Sequence, residues 1–253
     1  MCAEPITSFA HFVGIEETNL LTNMANLGEG FFLIHNLDIL YVSCFDLKPL
    51  DTEILKIPSF LYLVSHSEFY IGMISYLRMH QSKSFNSLRA ALDSTFTAYY
   101  LLKYPDKTDV YLSKVREEDN PEWDKIFRSI KGTIKKDISK FPLAIGLPEI
   151  HEFCSIYAHS DALGILHRYN ENIEKQRLEA KYFDYDVKSE DYNKWFGYLL
   201  FSFYRIFMIY WNEIFKLKAE KNARSIELNI IEYKKRIRAY VEKYTFNDSL
   251  PIE

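Results

Sequence analysis

The feature that most limits how this chain can fold is a run of 17 residues, Trp195–Trp211, with one charged side chain, Arg205. A helix that spans a bilayer needs about 20 apolar residues, and an arginine at its middle is costly in lipid. The aromatic residues are spread along the run and do not form two interfacial belts. Because helices that are apolar on every side are typical of large cores, we expect a buried central helix and no membrane insertion.

Composition favours long helices around this run. Glycine and proline, which interrupt helices, number only 8 each in 253 residues. Apolar residues make up 48% and charged residues 26%, an ordinary composition for a soluble globular protein. We predict an all-α, single-domain helical bundle of about seven to eight helices over residues 1–253.

Apolar residues that recur every three or four positions locate the helices. They predict helices over 17–47, 51–81, 84–104, 109–118, 121–140, 149–162, 189–218 and 223–244. Within the first of them, Gly28 and Gly30 indicate a kink or a close helix crossing. We expect residues 1–16 to be an irregular lead-in and residues 245–253 to be a flexible tail.

The pattern of apolar and polar residues changes after Gly164. Apolar and polar residues alternate in part over 165–169 and 178–185, which is compatible with a small β-hairpin near 165–185. The intervening residues 170–176 are also compatible with helix, so both assignments stay open.

Charge is unevenly distributed along a chain of net charge −4. Residues 216–243 contain nine Lys or Arg against four Glu. A basic segment on an acidic body could bind RNA, a nucleotide or an acidic partner. The alternative is a solvated amphipathic helix that binds nothing.

Cysteine usage bears on the compartment. The chain has three cysteines, Cys2, Cys44 and Cys154. Their number is odd, they are far apart in the sequence, and there is no CxxC pair. This pattern favours a reducing compartment, and no signal peptide is evident at the start of the chain. We therefore expect a cytoplasmic protein.

The candidate site centres on the predicted helix 149–162. Ser155 and His159 are four residues apart, so the hydroxyl could orient the imidazole, and Asp161 follows where the helix ends. Arg89 and Asp93, also four apart, are predicted to pair along helix 84–104 and to meet this group. Tyr157, Ser160 and Arg205 are candidate binding residues.

This polar group has two interpretations. His159 could be a general base and Arg89 could stabilise negative charge, or the side chains could simply satisfy one another inside a helical core. Arg205, alone on the most apolar helix, needs an acceptor, for which we predict Asp93 or Asp161. If it has none, the side chain reaches the surface.

The histidines do not indicate a metal site. His151, His159 and His167 recur every eight residues, about 80° of helical rotation per step, so they do not share a face. His151 followed by Glu152 lacks the second histidine of an HExxH motif. No glycine-rich phosphate loop or GxSxG elbow is present, and we expect no metal and no cofactor.

Two segments, SLRAALDSTFTAYYLLKYPD at 87–106 and CSIYAHSD at 154–161, resemble distant members of the HEPN superfamily. The matching positions are Arg89, Asp93, Ser155 and His159. The resemblance implies a helical bundle, often dimeric, in a superfamily rich in ribonucleases. Those enzymes carry a catalytic Arg-x4–6-His on one helix. No arginine precedes His159 on its helix, so Arg89 could replace it only from another helix.

Two functions therefore remain as hypotheses. The first is a non-enzymatic binding or interaction module, with the Arg89, Asp93, Ser155 and His159 group as a polar core. The second is a HEPN-like ribonuclease or nucleotide-handling enzyme that uses His159 and Arg89. A homodimer is compatible with either function.

Overall fold

The structure, a computed structural model, describes residues 6–47, 53–116, 118–158, 169–172, 177–180, 183, 189–216 and 223–244. Ten α-helices lie in these ranges: α1 Phe9–Leu27, α2 Glu29–Ser43, α3 Glu53–Leu77, α4 Gln81–Lys103, α5 Thr108–Ser113, α6 Pro121–Phe127, α7 Ile130–Lys136, α8 Leu147–Ala158, α9 Ser189–Tyr210 and α10 Ala223–Tyr244. A π-helical turn, Trp211–Phe215, extends α9. Short 3-10 turns occur at Phe45–Leu47, Pro105–Lys107, Ile138–Lys140 and Pro142–Ala144.

The predicted all-α class is confirmed, but the predicted count of seven to eight helices is too low, because two predicted helices are each divided. Residues 17–47 belong to α1 and α2, which are separated by Gly28 at a φ of 50°. This left-handed φ interrupts the helical backbone, and glycine adopts it without strain. Residues 121–140 form α6, α7 and a 3-10 turn.

The predicted irregular lead-in at 1–16 is wrong from Phe9 onward, where α1 begins. Ser8 has an extended backbone, and its hydroxyl accepts a hydrogen bond from the backbone N–H of His11 at 3.1 Å. This is an N-cap, which satisfies one of the free amide groups at a helix start. The tail predicted at 245–253 lies outside the described residues.

Two short strands lie near residues 165–185, where the sequence was compatible with either a small β-hairpin or helix. β1 Tyr169–Asn172 and β2 Arg177–Ala180 pair in antiparallel register, Tyr169 opposite Ala180. The first predicted strand, 165–169, overlaps β1 only at Tyr169. These four-residue strands are a minor addition to the helical architecture.

The predicted central helix is buried. Along α9, Phe196, Leu200, Phe203 and Phe207 are each 0% exposed. The helix packs against α2, α4 and α10, and the hydrophobic core draws on every one of these elements. No helix in the described ranges combines the length and the apolar character needed to cross a membrane.

Two close approaches explain how α9 fits among its neighbours. A Cβ added at Gly30 of α2 would lie 3.0 Å from both a Phe196 ring carbon and the Tyr240 hydroxyl oxygen. A Cβ added at Gly72 of α3 would lie 3.2 Å from Phe203. The close crossing predicted from Gly28 and Gly30 is thus found at Gly30. This packing brings α4 and α8 together on one side of α9, where the candidate site lies.

Candidate functional site

The polar group at the centre of the site joins α4 to α8. Asp93 of α4 accepts a hydrogen bond through Oδ1 from Nε2 of His151 on α8, at 2.8 Å. The imidazole is buried, with 7% of its side chain exposed, whereas the carboxylate is 48% exposed. His151 Nδ1 is buried and has no hydrogen-bond partner among the residues that the structure describes. The described histidine at this site is therefore His151, for which the sequence predicted no role.

Arg89 lies one turn before Asp93 on α4 but does not form the predicted ion pair with it. The Asp93 carboxylate is directed to His151, and the described residues include no hydrogen-bond partner for Arg89 Nε, which is buried. The arginine charge instead acts on the thiol of Cys154. The prediction failed because helix spacing permits an Arg–Asp contact but does not select it over a better acceptor geometry on another helix.

The surroundings of Cys154 and Ser155 are those of residues with a structural role. Burial raises the pKa of the Cys154 thiol to about 12, although the nearby Arg89 charge opposes this shift. Such a thiol is protonated at neutral pH and is a poor nucleophile. The Ser155 hydroxyl donates to the backbone carbonyl of His151 at 2.8 Å, a bond within its own helix. Ser155 was predicted to orient His159, and its proton is used in this other bond.

Some of the predicted site residues lie outside the part of the chain that the structure describes. His159, Ser160 and Asp161 lie outside the described residues, as does the side chain of Tyr157. Their assignments as catalytic and binding residues stay predictions.

Arg205 projects from α9 toward the chain segment that leads into α8. Its guanidinium donates to the backbone carbonyl of Ile145. Of the two predicted acceptors, Asp93 is wrong, because its carboxylate contacts His151, and Asp161 lies outside the described residues. No carboxylate in the described part of the chain pairs with Arg205. Burial lowers the pKa of Arg205, since the charged form loses solvation. Gly146, at a φ of 77°, lies beside the guanidinium: a Cβ there would be 3.4 Å from Nη1.

A cleft of about 740 Å³ opens beside Arg205, between α8, α9 and the segment before α8. Its apolar wall is aromatic: the rings of Phe153 and Trp195 stack with centroids 5.3 Å apart and an interplanar angle of 12°. Tyr198 meets both rings edge-on, at 5.7 and 5.9 Å. A cleft of this size with aromatic walls is typical of sites that bind small organic ligands.

The charged residues of the cleft are mainly basic. Lys135, Lys194 and Arg205 line it, together with the carboxylate of Glu149. Lys135 forms ion pairs with Glu149 at 3.2 Å and with Glu152 at 3.4 Å, so its charge is already balanced. The first turn of α8 also reaches the cleft, and the backbone dipoles of a helix N-terminus favour an anion. The electrostatic environment of the cleft therefore favours a ligand with a negative charge.

Sequence reasoning missed the cleft and the role of His151. His151 and Cys154 are three residues apart and both buried, so they share the inner face of α8. Because free cysteines are usually buried, the three-residue spacing from Cys154 could have predicted that His151 faces the core. The cleft had no comparable signal, because its walls come from segments more than forty residues apart.

The basic segment 216–243 balances part of its own charge. Lys216 pairs with Glu227, Arg236 with Glu232 and Arg238 with Glu242, at 2.9 to 3.3 Å. Buried Ile230 and Ile237 fix the inner face of α10. Binding of RNA or a nucleotide by this segment stays a prediction.

Within the described ranges, no three His, Cys, Asp or Glu side chains come together in a way that could hold a metal ion. The site consists of the Asp93–His151 pair on one side of α8 and the cleft beside Arg205 on the other. Comparison with known proteins finds no matching family model, no matching curated protein and no matching solved structure.

Proposed function

We propose that this chain is a non-enzymatic binding module and that the cleft beside Arg205 takes a small amphipathic anion. The observation that carries the proposal is Arg205 itself. It is a partly buried cation in an apolar cleft, and its described partner is the neutral carbonyl of Ile145. A buried charge without a counter-charge is costly, and an anionic ligand would supply one.

The cleft walls support an apolar, flat ligand body. Phe153 and Trp195 present parallel rings, and Tyr198 is edge-on to both. Aromatic rings favour offset stacking or edge contacts with other rings, at centroid distances of about 4.5–7 Å. A ligand with a ring system and one carboxylate or sulfonate would place the ring against these walls and the anion at Arg205.

The Asp93–His151 pair has a supporting role in this proposal. It lies where α4 packs on α8, and Ile150 and Phe153 of α8 line the cleft. A hydrogen bond that locks α8 against α4 keeps the cleft wall in place. Pre-organised walls raise affinity, because less conformational entropy is lost on binding.

Two dyes with the same ring system test the proposal. Anilinonaphthalene sulfonate is an amphipathic anion, and N-phenylnaphthylamine is its neutral counterpart; both fluoresce more strongly in apolar sites. We expect the native protein to bind the sulfonate more tightly. Arg205→Gln should weaken sulfonate binding at least about tenfold, the value of one charge-assisted hydrogen bond, and leave the neutral dye nearly unchanged.

Arg238→Gln is the matched control, because it removes an arginine of α10 that pairs with Glu242 outside the cleft. Circular dichroism and the thermal midpoint of each variant check that binding is compared between folded proteins. Equal sulfonate affinity in wild type and Arg205→Gln, or no saturable binding by wild type, would contradict the proposal.

The second candidate is HEPN-like RNA cleavage by His159 and Arg89. One observation favours it: the buried Arg89 Nε has no hydrogen-bond partner among the described residues, so its N–H could donate to a phosphate oxygen. Incubation with single-stranded RNA tests this function. Cleavage that is lost in both His159→Ala and Arg89→Gln would support it, and cleavage that persists in either variant would exclude this pair as the catalytic residues.

A further inference from the structure

The outer surface of α3 is apolar along most of its length. Large apolar side chains there are 41–48% exposed: Phe60, Leu63, Val64, Tyr70, Ile71 and Ile74. Between residues 60 and 74 the remaining exposed side chain is Ser67, and the one charged residue of this stretch, Glu68, is half-buried. The spacing of three and four places all seven on one stripe of the helix.

Helix α2 continues this apolar surface. Phe32, Ile39, Val42 and Phe45, at its end, are 42–65% exposed. The two helices lie side by side, because Asp38 of α2 accepts hydrogen bonds from His66 Nε2 at 3.0 Å and from the Tyr70 hydroxyl at 2.5 Å. We call these ten residues, namely the six of α3 from Phe60 to Ile74, the three of α2 and Phe45 in the turn after α2, the α2–α3 face.

The Asp38 carboxylate does not conflict with an apolar contact. Both of its donors come from α3, and its side chain is only 27% exposed. A carboxylate that is already hydrogen-bonded loses less on further burial than a free one. Its bonds also join α2 and α3 into one unit that can present a fixed surface.

The size of the α2–α3 face exceeds what a monomer usually leaves open. With about 200 Å² for each large side chain, the exposed fractions of these ten residues leave roughly 900 Å² uncovered. The largest apolar patch on a typical monomer is about 300–600 Å². A stable protein–protein interface buries about 800 Å² on each partner. The face therefore has the area that one side of a stable dimer requires.

We propose that the α2–α3 face is the interface between two copies of this chain, related by a two-fold axis beside Ser67. The exposed positions of α3 between residues 60 and 74 are symmetric about that residue: Phe60 and Ile74, Leu63 and Ile71, and Val64 and Tyr70 are equidistant from it. Two antiparallel copies of α3 that cross at Ser67 bring these positions opposite one another. The small serine side chain permits close approach at the crossing.

The exposed stripe of α3 carries no charge, because Glu68, the one charged residue between 60 and 74, is half-buried beside it, and this favours a second copy over a different partner. In a two-fold interface each patch meets itself, so any net charge would face a like charge. A neutral stripe avoids that repulsion. The proposal is independent of the ligand cleft, whose walls are on α8, α9 and the segment before α8.

Sedimentation equilibrium at micromolar concentration tests the proposal. We expect wild type to have twice the 30.0 kDa mass of one chain. Leu63→Glu and Ile71→Glu should each raise the dimer dissociation constant about 100-fold or more, because each dimer would bury two unpaired carboxylates. Ile231→Glu is the matched control: Ile231 is an apolar residue of α10 that is 65% exposed and is not one of the ten residues of the α2–α3 face.

A monomeric wild type would overturn the proposal. So would a dimer that survives both Glu substitutions on α3, or one that Ile231→Glu disrupts to the same extent. The substituted side chains are exposed, so the variants should keep the helical circular dichroism of wild type.

Cross-linking gives a second test without a destabilising charge. In a Cys2→Ser background, Ser67→Cys places one thiol beside the proposed axis. A short bis-maleimide should then give a covalent dimer. Ser225→Cys, at an exposed serine of α10, should not. Equal cross-linking of both variants, or of neither, would contradict the position of the axis.

Discussion

His66 and His151 are both buried histidines whose Nε2 donates to an aspartate, and the two sites differ in their exposure. In the His66–Asp38 pair the carboxylate is 27% exposed, and in the His151–Asp93 pair it is 48% exposed. Tyr41 stacks on the His66 ring with centroids 4.9 Å apart. At His66 the cost of burying a charged imidazole outweighs the attraction of Asp38, so the pKa of His66 is lowered.

His66 should make stability depend on pH. Its pKa is about 6.5 in the unfolded chain and lower in the folded protein, so the unfolded chain takes up the proton first as the pH falls. The free energy of unfolding should therefore be insensitive to this residue above about pH 7.5 and decrease as the pH falls through 6.5. Urea unfolding between pH 8 and pH 5 measures the decrease.

His66→Gln should show a smaller decrease over the same range, whereas His11→Gln, at a histidine of α1 outside the α2–α3 face, should behave like wild type. A wild-type slope in His66→Gln would show that this residue is not the source of the pH dependence.

Asp93 should contribute to stability through His151. Asp93→Ala leaves His151 Nε2 buried without an acceptor, which should lower the free energy of unfolding by about 1–3 kcal/mol. Asp106→Ala, at a carboxylate whose side chain is 71% exposed, should change it by less than about 0.5 kcal/mol. Urea unfolding at neutral pH compares the two.

An Asp93→Ala variant as stable as wild type would reverse the interpretation of this pair. Residues that are kept without benefit to stability are typical of functional sites. The pair would then be a candidate for catalysis, and the RNA cleavage assay would take precedence over the dye experiment.

At the scale of the helices, two glycines have opposite roles. A Cβ at Gly30 would press on Phe196, which is fully buried, and on Tyr240, so the residue permits α2 to approach α9 and α10. At Gly14 of α1, such a Cβ would have no described atom within 4 Å apart from those of its own helix turn. The same residue type is therefore required at one helix position and dispensable at the other.

Alanine substitutions should separate these roles. Gly30→Ala should lower the free energy of unfolding by about 1–3 kcal/mol through overpacking. Gly14→Ala should raise it by about 0.5–1 kcal/mol, because alanine restricts the unfolded chain and favours helix. Thermal and urea unfolding measure both. Stabilisation by Gly30→Ala would mean that Phe196 and Tyr240 can move away.

Helix existence was easier to predict than helix ends. Leu88, Leu92 and Phe96 recur at the helical period, and this pattern predicted α4. All three side chains are fully buried in the structure. The break at Gly28 and the start at Phe9 depend on single residues, a left-handed φ and a serine cap, which periodicity does not register. Local chemistry at these residues therefore set the boundaries.

For the whole molecule, dimerisation would couple stability to protein concentration. Unfolding of a dimer releases two chains, so the thermal midpoint rises with concentration. For two chains of this length the rise should be about 1–2 °C for each tenfold increase. Leu63→Glu should have a midpoint that does not change with concentration. Scanning calorimetry over a hundredfold range measures this, and a concentration-independent midpoint in wild type would argue against the dimer.

The sequence alone determined the helical class and the buried position of α9. Both follow from local properties, namely the scarcity of helix breakers and an apolar run with a single charge. Only the tertiary structure decided that Asp93 meets His151, that Arg205 meets the Ile145 carbonyl, and that a cleft opens beside them. These contacts join residues 58 and 60 positions apart, and they depend on where helices cross. Helix crossings are set by side-chain packing across the core, which no local pattern in the sequence specifies.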